Sequence, residues 1–346
     1  MRKLRIKNLV VIFSVIALVF AFSFNQAVMA QDEAEYTLKV AHADSTDVYK
    51  SRKHAQVTAF KHLVESKSGG RINVEILGGG AAGGEREYVE SIMMGSIQAG
   101  IASGAMANFF PKAMVTQIPY LFPNATVAWK VLDGEMGDKL SRMLKEETGL
   151  RNLAFAEVGF RHFTNSKRPI KSPEDMEGLK FRVMETPIYM KMVEALGGNP
   201  TPIAWTETYS ALQNGVVDGE ENPVSTIVFA NFAEVQDYLT LDGHVYGVDW
   251  FVMNNEFYNS LPSDLQRVVD QAAQVSSTVG RGLQQLNSSI GLETLKENGM
   301  EIYSPTPEEK EAFKEAAQEP VVEWLKDQID PDLVDEMINT VEEYSK

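Results

Sequence analysis

The sequence predicts an α/β fold: a β-sheet with helical crossovers, divided between two lobes. Three observations support this prediction. Segments with strand and helix patterns alternate along the chain, which is typical of a sheet covered by helices. Two such βα units of similar size follow one another, one over about 36–147 and one from about 153. The strands and the long helix after them belong to neither unit, so we expect crossing segments that join two lobes.

The first unit contains segments whose apolar residues have the spacing of a buried helix, and they lie next to segments that alternate as strands do. Val57, Phe60 and Val64 lie on one face of a predicted helix, and Gly69 and Gly70 end it. The predicted elements, in order, are a strand over 36–42, a helix over 48–66, a strand over 71–77, a helix over 86–94, a strand over 97–102 and a helix over 125–147.

Prolines mark helix boundaries in the second unit and in the segments after it. Ser172 followed by Pro173 is a helix start with proline at the first helical position, and Pro331 divides the C-terminal tail into two helices. The predicted strands cover 153–158, 179–183, 238–241 and 246–254, and the predicted helices cover 188–196, 206–214, 262–297 and two parts of 307–344.

The N-terminus has the three parts of a secretory signal peptide. Four basic residues within the first seven positions precede an apolar run over residues 9–24. Val28 and Ala30 then occupy positions −3 and −1 before Gln31. The alternative is an uncleaved membrane anchor, but the run is shorter than the ~20 residues that a span needs. We therefore expect residues 1–30 to be removed on export.

Charge and composition exclude several classes of function. The 346 residues include 48 acidic and 32 basic ones, a net charge of −16, and nucleic-acid binding needs clustered Lys and Arg. Cleavage after Ala30 would leave 28 basic residues against 48 acidic ones, a charge of −20. Without cysteine the sequence has no disulfide, no thiol nucleophile and no residue for an N-terminal lipid. We expect a freely diffusing periplasmic protein that binds no nucleic acid and uses no cofactor, since ATP and NAD are cytosolic.

Three motif-like features do not indicate chemistry. Residues 78–83, Gly-Gly-Gly-Ala-Ala-Gly, satisfy G-x-G-x-x-G, but no Asp or Glu occurs from Ser91 to Leu132 to bind a ribose. A loop whose backbone approaches a ligand is the better interpretation. Ser103 lies one position too late for a G-x-S-x-G nucleophile. The five histidines form no i, i+4 metal-binding pair, so we expect no metal site and histidines scattered on the surface.

Segment 159–223 contains the most informative polar residues. Arg161 follows a predicted strand and Arg182 lies inside an apolar one. A buried cation is costly unless it is paired, and a guanidinium binds carboxylate through two parallel hydrogen bonds, so the two arginines could clamp an anion. Pairing with an internal Asp or Glu is an equally good interpretation. Trp205 and Asn222 are predicted to face a cleft between the units, although Trp205 could equally be a core residue.

Four segments of this region resemble the signature of the substrate-binding proteins of tripartite ATP-independent periplasmic (TRAP) transporters, of the DctP type. They are Gly-Leu-Lys-Phe-Arg-Val at 178–183, Ala-Leu-Gly-Gly-Asn-Pro-Thr-Pro at 195–202, Tyr-Ser-Ala-Leu-Gln at 209–213 and Val-Asp-Gly-Glu-Glu-Asn-Pro at 217–223. The resemblance extends from Leu-Lys-Val-Ala-His at 38–42 to Leu-Pro-Ser-Asp-Leu at 261–265.

The resemblance implies a two-lobed, type II-like periplasmic binding protein with a hinge and a long helix that spans both lobes. The implied lobes are discontinuous: lobe I comprises 31–157 and about 247–285, and lobe II comprises 158–246 and about 286–346. The permease that such a receptor serves is ion-driven and uses no ATP.

The resemblance also implies roles for individual residues. Arg182 falls on the family's arginine that forms a salt bridge with the ligand carboxylate. Arg161 matches a second arginine that contacts the ligand, and Asn222 matches an asparagine that helps to hold the carboxylate. Trp205 falls where family members often place an aromatic side chain against the ligand.

Three further residues complete the predicted ligand-binding set. By the same resemblance, Glu85 and Glu185 fall on positions that vary with the ligand in the family and contact its distal end, and His42 belongs to the matching segment 38–42. Sialic-acid binders resemble one another in having Asn where Glu185 stands, so sialic acid is disfavoured. Two arginines with two acids fit a hydroxylated monocarboxylate, such as a sugar acid, better than a C4-dicarboxylate, although dicarboxylates are the family's usual ligands.

The expected function is capture of a small organic acid by a monomeric receptor, not an enzyme, which closes by a hinge and delivers the acid to the membrane permease subunits of a TRAP transporter. An alternative from another class is an exported glycoside hydrolase that uses Glu85 and Glu185 as an acid pair. A third is a receptor that presents its ligand to a sensor kinase.

Overall fold

A single β-sheet runs through the part of the chain that the computed structural model describes, residues 34–346. The predicted signal peptide, 1–30, lies outside the described residues. The strands are β1 (Tyr36–Ala41), β2 (Ile72–Leu77), β3 (Ala99–Ala102), β4 (Leu150–Asn165), β5 (Lys180–Val183), β6 (Asn199–Pro202), β7 (Gly219–Asn222), β8 (Tyr238–Asn254) and β9 (Glu301–Tyr303). Their order is β2-β1-β3-β8-β4-β7-β5-β6, and β9 pairs with β8.

Helices cover the sheet, as the alternating pattern predicts. They are α1 (Arg52–Lys67), α2 (Glu85–Met93), α3 (Ala125–Leu132), α4 (Glu135–Thr148), α5 (Pro187–Ala195), α6 (Thr208–Gln213), α7 (Val224–Phe229), α8 (Asn255–Ser260), α9 (Ser263–Glu297), α10 (Pro307–Gln328) and α11 (Pro331–Tyr344). The division of the tail at Pro331 is confirmed. None of the described helices is both long enough and apolar enough to cross a membrane.

Two strands, β4 and β8, are much longer than the sequence pattern predicts. β4 has 16 residues instead of the predicted 153–158, and β8 joins the predicted strands 238–241 and 246–254 into one strand of 17 residues. The two pair antiparallel along almost their whole length, with register shifts at three points. Each shift interrupts the alternation of side chains between the two faces, which is why the sequence shows only shorter runs.

The long strand pair divides the sheet into two lobes. At one end the parallel strands β1, β2 and β3 form lobe I, and β3 pairs antiparallel with β8. At the other end β5, β6 and β7 are parallel to one another and form lobe II, and β7 pairs antiparallel with β4. Since β4 and β8 enter both halves, the chain crosses between the lobes at these strands.

Helix α9 confirms the predicted long helix, and it packs against α1 and β4 and also against α7 of lobe II. The two tail helices divide their contacts: α10 packs on α5, whereas α11 packs on α3. The exact lobe boundaries given above stay a prediction.

The predicted helix over 125–147 is wrong as one element, because it is two helices separated at Asp133 and Gly134. Gly134 has extended backbone angles and is the N-cap of α4. A Cβ at this position would lie 2.7 Å from the Lys130 carbonyl oxygen. The close approach requires glycine, and it lets the chain change direction between α3 and α4.

The register shift of β4 at Gly159 gives a prediction about stability. Gly159 has a φ of +101°, and a Cβ there would lie 2.5 Å from Gln284 Nε2. We expect Gly159→Ala to lower the free energy of unfolding by about 1–3 kcal/mol, because alanine is strained at positive φ. Urea denaturation measures the change.

The matched control is Gly282→Ala, on the exposed face of α9. A Cβ at Gly282 would meet no atom within 4 Å, so alanine should raise the stability by roughly 0.5–1 kcal/mol. Equal effects of the two substitutions would show that β4 imposes no special backbone requirement at Gly159.

Candidate functional site

A cleft lies between the two lobes, beside the crossing strands β4 and β8. Its empty volume is about 320 Å³, including the part that is open to solvent. Five of the seven predicted ligand-binding residues line it: Arg182, Arg161, Asn222, Trp205 and Glu85. The other lining residues are Asp44, Arg52, Lys53, Ser103, Val158, Met184 and Thr226.

Arg182 is a buried cation without an acidic partner. It lies on β5, is 2% exposed, and its Nε donates a hydrogen bond to the Ile203 carbonyl oxygen at 2.9 Å. Its two terminal nitrogens make no hydrogen bond or salt bridge with any of residues 34–346. Burial lowers the pKa of Arg182 below its ordinary value, although Glu221 and Glu220 in the vicinity oppose the shift. The side chain therefore has donors without an acceptor among the described residues.

Arg161, in contrast, is paired internally. Its Nε and Nη2 both bind the Glu221 carboxylate, Nη2 at 2.9 Å from Oε1, and Nη2 also reaches the Glu221 carbonyl oxygen at 2.5 Å. Only Nη1 has no partner within the described chain. Of the two interpretations that the sequence leaves open, internal pairing therefore applies to Arg161 and not to Arg182.

A chain of buried polar groups holds the Arg161–Glu221 pair in place. His244 Nε2 lies 3.2 Å from Glu221 Oε2, and His244 Nδ1 lies 2.8 Å from Asp242 Oδ2. Burial alone would lower the pKa of His244, but the two carboxylates on either side raise it to about 9. Tyr120 extends the chain, because its hydroxyl donates to Asp242 Oδ2 at 3.0 Å.

Asn222 is held by a second buried acid. Its Nδ2 donates to Glu220 Oε2 at 2.5 Å, and Thr164 donates to Glu220 Oε1 at 3.0 Å. Burial raises the pKa of Glu220 to about 7. The amide of Asn222 is thus fixed in orientation at the wall of the cleft. Both Glu220 and Glu221 lie within the motif over 217–223, but their roles as internal partners of Asn222 and Arg161 were not predicted from the sequence.

Trp205 forms the apolar part of the lobe II wall. Its ring is half-buried and lies 5.9 Å from the Phe229 ring and 5.8 Å from the Phe232 ring, measured between centroids. The Arg182 guanidinium carbon is 6.0 Å from the Trp205 ring centroid. The residue therefore packs on core aromatics with one side and lines the cleft with another.

The lobe I wall is a network of paired charges that the sequence analysis missed, apart from Glu85. Lys53 Nζ lies 2.5 Å from Glu85 Oε1, 3.4 Å from Asp249 Oδ1 and 2.9 Å from Ser103 Oγ. Arg52 Nε donates to Asp249 Oδ2 at 2.9 Å. Burial opposes the charge on Lys53, but the pKa of Lys53 is raised because Asp249 and Glu85 stabilise the ammonium.

This wall carries one more acid than base. Its acids are Asp44, Glu85 and Asp249, and its bases are Arg52 and Lys53, each of which lies within salt-bridge distance of at least two of the acids. The formal sum is −1, with both cations satisfied. The wall therefore offers carboxylate and hydroxyl acceptors and no cation that lacks an acid.

Two predicted residues, His42 and Glu185, are not among the residues that line the cleft. His42 is fully buried, with its Nε2 3.0 Å from His54 Nδ1, and burial lowers its pKa to about 3, so the ring is neutral. Glu185 is half-buried, and its carbonyl oxygen accepts from Asn108 at 2.6 Å. The expectation that all histidines lie on the surface is wrong, because His42 and His244 are both fully buried.

The model of the DctP family, described as bacterial extracellular solute-binding protein, family 7, matches residues 45–327 of this chain. A solute-binding protein of Verminephrobacter eiseniae is 38% identical over 253 residues, which cover 73% of this chain and 75% of the relative. The resemblance that the segments over 178–223 indicate is thereby confirmed.

Solved structures of TRAP solute-binding proteins support the same family assignment. A TRAP periplasmic solute-binding protein from Bordetella bronchispeptica, with bound density assigned as pantoate, has a TM-score of 0.82 and 37% identity, and the match covers 88% of this chain and 99% of that one. The sugar acid binding protein DctPAm from Advenella mimigardefordensis, in complex with galactonate, has a TM-score of 0.86 and 32% identity over 90% and 100% of the two chains. By sequence and by fold, this chain belongs to the DctP family of TRAP transporter solute-binding proteins.

Proposed function

We propose that this protein is a periplasmic receptor for a small acid with one carboxylate and several hydroxyl groups, which it delivers to the membrane permease of a TRAP transporter. The observation that carries the proposal is Arg182, a buried guanidinium in an interlobe cleft whose terminal nitrogens have no partner in the described chain. An unpaired buried charge is costly, so the site favours an anion that supplies the missing partner.

The carboxylate would bind at the lobe II wall. Arg182 presents two nitrogens in the planar geometry that matches a carboxylate, and Asn222 and Arg161, whose Nη1 has no partner among the described residues, line the same cleft. Arg161 is already neutralised by Glu221, so Arg182 would provide most of the charge complementarity. Trp205 would pack against the carbon chain of the ligand.

The lobe I wall favours hydroxyl groups over a second carboxylate. Its formal charge is −1, and both Lys53 and Arg52 are already bound to acids. A second ligand carboxylate would be repelled by Glu85 and Asp44 and would find no free cation. Pantoate and galactonate, found with two similar proteins, each have one carboxylate and at least two hydroxyls. This chemistry supports the sugar-acid class over C4-dicarboxylates.

Contacts between the lobes support closure around the ligand. Asn108 of lobe I donates to the Glu185 carbonyl oxygen of lobe II at 2.6 Å. A Cβ on Gly80, in the glycine-rich loop, would lie 3.2 Å from the Thr206 methyl carbon of the other lobe. These approaches support a closed conformation, with β4 and β8 as the segments at which the lobes would hinge.

The hydrolase alternative has less support. Glu85 lines the cleft, but it is held by Lys53 and accepts hydrogen bonds from Ser103. Glu185 is not among the residues that line the cleft, whereas an acid-pair mechanism requires both carboxylates around one substrate. The monomeric receptor and its delivery of the ligand to a permease, not to a sensor kinase, are parts of the proposal.

One prediction about ligand binding concerns Arg182. We expect Arg182→Ala to weaken binding of the best acid by roughly 100-fold, about 3 kcal/mol, because the ligand carboxylate loses a buried charged partner. Thermal-shift screening against galactonate, gluconate, pantoate and succinate identifies that acid, and calorimetry then gives the affinity. The carboxylate clamp is wrong if Arg182→Ala binds as well as wild type, or if no acid stabilises the wild-type protein.

Arg161→Ala is the matched control for stability. Its removal would leave Glu221 buried without its guanidinium, so we expect the ligand-free protein to lose about 3–5 kcal/mol. Arg182→Ala should lower the stability of the ligand-free protein much less, since no described acid loses a partner and only the hydrogen bond to the Ile203 carbonyl oxygen is lost. Equal destabilisation by both substitutions would contradict the contrast between the paired and the unpaired arginine.

Another prediction concerns the class of acid that the protein prefers. Galactonate or pantoate should raise the melting temperature of the wild-type protein more than succinate does at equal concentration. Glu85→Gln removes one negative charge from the lobe I wall, so we expect it to strengthen succinate binding relative to wild type. A wild-type protein that prefers succinate, or a Glu85→Gln variant that binds succinate more weakly, would contradict the charge argument.

A further inference from the structure

Thr226 has a buried hydroxyl without a partner at the wall of the cleft. The residue is 3% exposed and lines the cleft. Its Oγ1 makes no hydrogen bond with any described residue. A buried hydroxyl without a partner costs about 1–3 kcal/mol, so this feature of the closed protein requires an explanation.

Three other threonines, in helices or at a helix start, satisfy their hydroxyls with a local bond. Their hydroxyls donate to the carbonyl oxygen four residues earlier, as in Thr208 to Ala204 at 3.2 Å, Thr148 to Leu144 at 2.7 Å and Thr340 to Glu336 at 2.7 Å. This local bond is the usual one for threonine in a helix. Thr226 does not make it.

The backbone of Thr226 is fully engaged, so only its side chain has an unused group. Its N–H donates to the Pro223 carbonyl oxygen at 2.9 Å, and its carbonyl oxygen accepts from Ala230 at 3.0 Å. The adjacent Ser225 hydroxyl is also satisfied, by Gln284 Oε1 at 2.8 Å. The unused hydroxyl therefore belongs to the one side chain of this pair that lines the cleft.

We propose that the Thr226 hydroxyl recognises the hydroxyl group on the carbon next to the ligand carboxylate, and so selects 2-hydroxy acids. This inference rests on the proposed carboxylate site. Thr226 lies on α7, which begins two residues after Asn222, and both residues line the cleft. The carboxylate itself already has donors from Arg182, Arg161 and Asn222. A threonine hydroxyl both donates and accepts, which matches a ligand hydroxyl.

The test uses Thr226→Val, which keeps the branched shape and removes the hydroxyl, and Thr226→Ser, which keeps the hydroxyl. Calorimetry measures the affinity of each variant for galactonate and 2-deoxygalactonate, and for pantoate and its 2-deoxy analogue. For the 2-hydroxy acids we expect Thr226→Val to weaken binding about tenfold and Thr226→Ser to weaken it less than threefold. For the 2-deoxy acids, wild type and Thr226→Val should differ less than twofold.

The melting temperature of the ligand-free protein separates recognition from a structural role. Thr226→Val should leave it unchanged or raise it, because the hydroxyl that is removed has no partner. A lowered melting temperature, or an equal loss of affinity for 2-hydroxy and 2-deoxy acids, overturns the inference.

Failure of this inference can be told from failure of the proposed function. If wild type binds these acids and Thr226→Val binds them equally well, the role of Thr226 is wrong and the receptor function stands. If no acid binds wild type, the proposed function fails and the role of Thr226 fails with it.

Discussion

The antiparallel pairing of β4 with β8 is the constraint on which the rest of the structure depends. The two strands run beside each other from Leu150 opposite Asn254 to Asn165 opposite Tyr238. On the outer edges of this pair, β8 bonds to β3 of lobe I and β4 bonds to β7 of lobe II. The lobes on either side are built from parallel strands and crossover helices. Because the chain crosses between the lobes at these strands, the cleft lies beside them, and β4 places Val158 and Arg161 at its wall.

The proposed site also depends on a difference between two buried arginines: one is paired with an acid and the other is not. Arg161 is neutralised by Glu221, which is in turn held by His244 and, through it, by Asp242. Arg182 has only a carbonyl oxygen on its Nε. One guanidinium therefore belongs to the scaffold and the other is available to a ligand. Under the proposed function, this arrangement would give an acidic chain a local site for an anion, and the excess acid on the lobe I wall would favour an anion with one carboxylate.

Much of the fold could be predicted from the sequence, since periodicity and turn residues are local. The positions of α9 and of the two tail helices agree with the prediction, and the family follows from motifs at fixed spacing. The lengths of β4 and β8 could not be predicted, because register shifts interrupt their alternation. The lobe I network was missed, although a signal was present: Asp249 lies inside an apolar strand, as Arg182 does, and the same reasoning about buried charge applies to it.

The sequence by itself determined the fold class and the family and supplied candidates for binding a carboxylate, because these depend on local pattern and side-chain chemistry. Only the tertiary structure decided which of the two arginines is free, that Glu85 is tied to Lys53, and that the Thr226 hydroxyl has no partner. The reason is physical: whether a buried polar group is satisfied depends on neighbours brought from distant parts of the chain. Arg161 and Glu221 are 60 residues apart and Arg52 and Asp249 are 197 apart, and no local pattern records such a pairing.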